Sequence, residues 1–225
     1  MCAERARVAL SWSGGKDAAW TLHRLRATPG LEVAALVTTV VPAFGRVAMH
    51  GVRVELLRAQ ARAAGVPLVE VPLSWPSDNA EYERQVGAAL AALRAERGVT
   101  HVAFGDLFLE DVRAYRERML TGSGLTPLFP LWQEPTRALA DAMLASGLEA
   151  TIVCLDPARV GRELAGRRLD AALLAALPDG VDACGERGEF HTFVTAGPML
   201  REPVRVAPGE IVEREGFVYA DLVAI

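Results

Sequence analysis

The stretch Ser11 to Trp20, SWSGGKDAAW, decides how the rest of the chain is read. Before it, RVALSW (7–12) is a short apolar run of the kind that forms a buried strand. After it, from Lys16 to about Ala27, apolar residues recur at helical spacing. The strand therefore passes into a helix through two glycines. Glycine has no Cβ to forbid positive φ, so successive backbone N–H groups can turn into one concavity, and the helix N-terminus adds its partial positive charge. Anions, phosphates above all, are stabilised in such a turn. Lys16 sharpens the point, because it is the only lysine in a chain with 24 Lys plus Arg. The spacing matches neither G-x-x-x-x-G-K-[ST] nor G-x-G-x-x-G, so two familiar phosphate-loop patterns are excluded.

Outward from the glycines the alternation continues. EVAALVT (32–38) reads as a strand, GVRVELLRAQARAAG (51–65) as a helix stopped at Gly65, and PLVEVPL (67–73) as a third strand. Asp78 with Glu81 fits a capping box that opens a helix running to about Arg97, and THVAFG (100–105) is a fourth strand. Strand–helix alternation of this length predicts parallel pairing, because each crossover helix returns the chain to the same sheet. In LTPLFPLW (125–132) Pro127 and Pro130 break the pattern. A helix (about 136–146), a strand EATIVCLD (149–156) and a helix near 170–177 follow, and the remaining segments EFHTFV, PVRVAP, EIVERE and FVYADLVAI alternate in strand fashion. The expected organisation is an α/β domain over 1–130 and a smaller α+β domain over 131–225.

Composition narrows the classes. With 225 residues and 51% hydrophobic content the chain can build a substantial core. A net charge of −4 with both signs interspersed lacks the footprint of a general nucleic-acid binder. Cys2, Cys154 and Cys184 are far apart and contain no C-x-x-C, which points to neither a disulfide framework nor a zinc site, and no residues are singled out as metal ligands. No apolar run reaches the roughly 18 residues of a membrane span, and MCAERARVAL has no leader-type apolar core, so the expectation is a soluble cytoplasmic protein.

Three further stretches carry chemistry. In MHGV (49–52), His50 follows the second strand's loop, where it reads either as a ligand contact or as a cap or surface residue. In FGDLFLEDVRAYRERM (104–119), Gly105 and Asp106 fall at the carboxyl end of the fourth strand, the edge at which open α/β sheets bind ligands. Arg113 and Glu117 stand at i,i+4 beyond it, either a phosphate or carboxylate clamp with its support or a solvated ion pair. In CGERGEFHTFV (184–194), Glu186 and Glu189 flank Gly188 beside a histidine and a threonine. Two carboxylates there suit amine binding or proton abstraction, with a polar hairpin loop as the bland alternative.

The arrangement S-G-G-K-D-A is similar to the S-G-G-x-D-S signature of the PP-loop, or N-type, ATP pyrophosphatases. Together with MHGV, GDLFLEDVRAYRE, PLFPLW (127–132), GRRLD (166–170) and GERGEFHTFVTAGP (185–198), in this order, the chain resembles the diphthine–ammonia ligase family over nearly its whole length. The C-terminal glutamate-rich motif is the specific part and looks most like the family's bacterial branch. The resemblance implies a Rossmann-like, HUP-type sheet and an ATP-dependent ligase with ATP and Mg²⁺ as cofactors. Enzymes of this family adenylate the carboxylate of diphthine, a modified histidine on elongation factor 2, release pyrophosphate, and let ammonia displace AMP. Carried over, it puts ATP phosphates on Ser13, Gly14, Gly15, Lys16 and Asp17 and sets Gly105 and Asp106 beside the nucleotide, with His50 near the adenosine. Arg113 would face the activated carboxylate or phosphate, and Glu186 and Glu189 the second substrate, so that Lys16, Asp17, Glu186 and Glu189 form the catalytic set.

The implied partners are a carboxylate-bearing substrate, such as a modified protein side chain, and ammonia, with no membrane and no evident nucleic acid; a homodimer stays open. Ala18 stands where the signature has serine, and Ala196 where the family usually has aspartate before Gly-Pro. Two other functions stay open: a nucleotide sensor without turnover, consistent with Ala18, and a tRNA-modifying PP-loop enzyme.

Overall fold

The computed structural model describes residues 5–48 and 51–225. The chain opens with β1 (Ala6–Ser11), α1 (Lys16–Ala27), β2 (Leu31–Val41), β3 (Arg46–Val47), α2 (Val54–Ala64), β4 (Leu68–Pro72), α3 (Asn79–Arg97), β5 (Val99–Ala103), α4 (Glu110–Leu120) and β6 (Thr126–Leu128). It continues with α5 (Thr136–Ala145), β7 (Glu149–Leu155), α6 (Ala171–Ala175), β8 (Phe190–Ala196), β9 (Val206–Arg214) and β10 (Phe217–Ala224). Among the described residues the expected elements are present, except that PVRVAP and EIVERE, read as two segments, form the single strand β9. β2 runs further than expected, through Val41, where the two-residue β3 pairs back on it. Pro127 was expected to break the pattern, yet it sits inside β6; this strand lies at the sheet's edge, where a missing N–H costs no ladder bond on the open side.

Local signals explain the ends. Gly65 and Gly98 close α2 and α3 in the left-handed conformation, at φ 66° and 62°. The Asp78 side chain accepts the Glu81 N–H at 2.8 Å, as a capping residue does, but the Glu81 carboxylate turns to the N–H and hydroxyl of Ser74, so the box is not reciprocal.

Six strands form the first sheet, in the order β3-β2-β1-β5-β6 with β4 also paired to β2. Every pairing is parallel except that of β3. From β1 the chain crosses through α1 to β2 on one side, and from β4 it crosses through α3 to β5 on the other. The strand order therefore reverses between β1 and β5, which opens a crevice at their carboxyl ends. Leu22 and Leu25 of α1 and Leu56, Leu57 and Ala61 of α2 cover one face, while Val86, Leu90 and Leu93 of α3 cover the other.

The second sheet is antiparallel, in the order β8-β7-β10-β9. Its apolar residues, among them Ile152, Phe193, Val218 and Leu222, join the same buried cluster as α1 and α2. This shared core sets β8 against the glycine turn: the Val194 N–H donates to the Gly14 carbonyl at 2.9 Å. The molecule is thus a mixed α/β protein with a mostly parallel, HUP-type sheet flanked by helices and a separate antiparallel sheet. Among the described residues no helix is long and apolar enough to cross a membrane.

Candidate active site

A cleft of about 630 Å³ opens at the reversal point. Into it face the glycine turn after β1, Gly105 and Asp106 after β5, residues of α3 and α4, and the loop that precedes β8. The volume is in the range of small-molecule sites.

The turn is built from three supports. Gly14 has φ +78°, and a Cβ there would stand 2.7 Å from Gln60 Oε1. Gln60, fully buried on α2, accepts from Trp12 Nε1 at 3.2 Å and donates Nε2 to the carbonyls of Gly14 (3.0 Å) and Val194 (2.6 Å). A Cβ on Gly15 would lie 3.1 Å from the Thr192 carbonyl, so glycine is what lets β8 approach. The amides of the turn hold hydroxyl partners: Gly15 N–H donates to Ser13 Oγ at 3.3 Å and Lys16 N–H to Thr192 Oγ1 at 3.1 Å.

The lone lysine does not reach into open space. Lys16 is 2% exposed; its ammonium donates to Asp17 Oδ2 at 2.8 Å and to the Cys184 carbonyl, beneath the Phe190 ring. Burial penalises the ammonium, but the carboxylates of Asp17 and Glu186 with the Cys184 group outweigh it, and its pKa lies above the usual lysine value. Lys16 thereby clamps the glycine turn to the loop before β8. Asp17 Oδ1 is buried without a hydrogen-bond partner.

That loop is organised by a residue the sequence reading missed. Asp182 Oδ1 accepts from Cys184 N–H (2.9 Å) and Glu186 N–H (3.2 Å), and its Oδ2 from the Thr136 hydroxyl (2.6 Å). An aspartate two residues before the turn is the available signal, since such side chains hydrogen-bond the backbone just ahead. The two expected glutamates part company. Glu189, 2% exposed, spends its carboxylate inside the loop on the N–H groups of Asp182 (3.1 Å) and Arg187 (2.9 Å). Glu186 lines the cleft and accepts the Leu107 N–H at 2.7 Å. Burial first, then the neighbouring Asp17 and Asp106, push its pKa up to about 7. Cys184 and Cys154 are free, buried thiols, pushed up by burial to about 12 and about 11, so neither is a nucleophile near neutral pH.

At the β5 end, a Cβ on Gly105 would stand 3.1 Å from the Asp17 carbonyl carbon, which shows how closely this turn rides on α1. Burial raises the pKa of Asp106, against the opposing pull of Arg116 at 3.6 Å. The α4 expectation divides. Arg113 does pair with Glu117, at 2.8 Å, but its guanidinium is caught over the rings of Phe129 and Trp132, 4.9 and 4.8 Å away, and the arginine that lines the cleft is Arg116. Two arginines three apart give no sequence signal for which one the aromatic rings will capture. His50 lies outside the described residues. Ala18, 6% exposed, lines the cleft with a methyl group where a hydroxyl would stand. Gln60 was also missed, although a lone amide on the apolar stripe Leu56, Leu57, Ala61 and Ala64 was its signal.

Two family models match the chain: the diphthamide synthase N-terminal domain over residues 6–127 and the diphthamide synthase C-terminal domain over residues 135–222. Among relatives, the diphthine–ammonia ligases of Bos taurus and Homo sapiens are 26% and 25% identical, each over 95% of this chain and 88% of their own length. The one from Rattus norvegicus is 27% identical over 58% of this chain, a match that spans only 51% of the rat protein. By its matched models, its sheet order and the convergence of its glycine turn with the loop before β8, the chain belongs to the diphthamide synthase family.

Proposed function

We propose that the chain is an ATP-dependent ligase that activates a carboxylate as an acyl-adenylate and passes it to ammonia. The observation that carries this reading is the meeting, in one cleft, of a glycine turn at a helix N-terminus, Asp106 at the adjoining strand end, and Glu186 from the second sheet's loop. The names of the relatives agree with it.

The triphosphate tail would lie on the turn of Ser13 to Asp17. The Ser13 hydroxyl that now accepts the Gly15 N–H is only partly buried, so a phosphate oxygen can take its place without leaving that N–H unpaired. The residues also fit Mg²⁺. Asp17 Oδ1 is a hard oxygen without a hydrogen-bond partner, which suits a metal held by one or two carboxylates and the nucleotide's phosphates. Bound there, the ion would neutralise the departing pyrophosphate.

In the first step a carboxylate oxygen attacks the α-phosphorus and the bond to pyrophosphate breaks. In the second, ammonia attacks the acyl carbon, the C–O bond to AMP breaks, and the surplus proton leaves the nitrogen. Glu186, with a pKa near 7 despite the opposing pull of the Leu107 N–H and of Lys16, is the group suited to take that proton. Residues 1–130 would hold the nucleotide, and 131–225 would supply the wall that selects the acceptor.

Product analysis tests the reaction. With Mg-ATP, ammonium and a panel of ¹⁸O-labelled carboxylates, diphthine among them, the expected products are AMP and pyrophosphate, with one ¹⁸O carried into AMP. Release of ADP and phosphate would refute the mechanism. Nucleotide binding without turnover on any acceptor, retained after Ala18→Ser, would favour the sensor reading that the methyl group of Ala18 supports.

A further inference from the structure

The cleft's lining is zoned. Val37, Val86, Leu90 and Val102 belong to one buried apolar cluster against α3, whereas Ser13, Lys16 and Asp17 belong to the glycine turn. A nucleotide stretched across such a site puts its purine on the first zone and its terminal phosphates on the second, so its innermost phosphate falls between them. Arg116 occupies that interval. Its guanidinium lies over the ring of Phe104, a member of the apolar cluster, at 5.0 Å, and its Nη1 donates to the Tyr82 hydroxyl on α3 at 2.9 Å. On the other side it stands 3.6 Å from Asp106, whose preceding glycine touches the first turn of α1. The second long cation of the lining, Lys16, is turned into the protein, onto Asp17 and the Cys184 carbonyl.

We propose that Arg116 is the residue that binds the α-phosphate of the nucleotide. The inference rests on the nucleotide reading above and goes beyond it by naming the cation at the reacting phosphorus. A guanidinium suits this place because its planar fork offers several fixed N–H donors to phosphate oxygens and cannot lose its charge. Phe104 and Tyr82 fix the plane of the fork. Asp106 restrains it at ion-pair distance, beyond hydrogen-bond reach, so the guanidinium is not locked to a carboxylate as it would be in a bidentate pair.

The test compares AMP with adenosine, which differ only in that phosphate, by calorimetry at fixed ionic strength and so without need of an acceptor. Wild-type protein is expected to bind AMP at least roughly ten-fold more tightly than adenosine, as one charge-assisted contact implies. In Arg116→Met the two should come within about two-fold of each other while adenosine affinity is unchanged, with Arg116→Lys intermediate. Arg118→Met, the same loss of charge at an exposed position on α4, should keep the wild-type ratio. Unchanged adenosine binding also reports that each variant is folded. If wild-type protein binds AMP no better than adenosine, or if Arg116→Met and Arg118→Met shift the ratio equally, the assignment is wrong although nucleotide binding stands. If neither ligand nor Mg-ATP gives heat, the nucleotide reading itself fails.

Discussion

Replacing Gln60 by leucine should loosen the glycine turn from beneath without touching the cleft. The amide sits fully buried and makes three hydrogen bonds, to Trp12 Nε1 and to the carbonyls of Gly14 and Val194. Leucine has similar volume and fills the space, so the cost is in unpaired partners rather than in a cavity. Gly14's carbonyl keeps the Val194 N–H, but the Trp12 indole N–H, on a side chain 2% exposed, and the second lone pair of the Val194 carbonyl lose their partner. At about 1–3 kcal/mol for each buried group left unpaired, with part returned by the added apolar contact, the net loss is about 3 kcal/mol. With a urea m-value of about 2–3 kcal/mol/M, the unfolding midpoint should fall by about 1–1.5 M. Mg-ATP affinity measured well below the transition should fall as well, since Gly14 is held at φ +78° by this amide. A midpoint shift under about 0.3 M with unchanged nucleotide affinity would show that the amide is not what holds the turn.

Other outcomes follow from the same contacts. Lys16→Met should cost about 2–4 kcal/mol in denaturant unfolding, because it leaves the Asp17 carboxylate and the Cys184 carbonyl without their buried ammonium; an equally stable variant would remove the clamp assigned to Lys16. Glu186 has a folded pKa near 7 against an ordinary 4.5, so the folded state binds the extra proton and wild-type stability falls as pH rises from about 4.5 to 7. Glu186→Gln should therefore gain stability relative to wild type across that window, by up to about 2–3 kcal/mol, and a pH-independent difference between the two melting curves would contradict the burial argument. At a fixed concentration of free ammonia, the amide-forming rate should rise with pH through about 7 in wild type and lose that dependence in Glu186→Gln. Asp221, held at about 2 by hydrogen bonds and charge from Arg53 and Arg46, contributes stability that is present above about pH 4 and lost as pH falls through about 2. Asp221→Asn should cost about 1–2 kcal/mol at pH 7 and little at pH 2, which acid and urea titrations of both proteins would check.

The alternation of strand and helix, the parallel sheet and the glycine turn were legible in the sequence because they are local. A period of 2 or 3.6, a glycine after the last helical turn and two glycines between strand and helix need no knowledge of distant residues. Asp106 and Glu186 were legible too, since the strand end and the acidic loop mark positions where side chains leave the core. What only the tertiary structure decided is which side chain of each candidate set faces the cleft. Glu189 turned inward because Asp182 and Arg187 offer it backbone N–H groups, and Arg113 was taken by two rings from a segment after β6. Lys16, the most conspicuous letter in the chain, clamps the turn to a carbonyl 168 residues away. Such choices turn on contacts between segments far apart in the chain, and burial leaves each polar group only the partners that packing brings to it, so they are fixed when the two sheets close on one core.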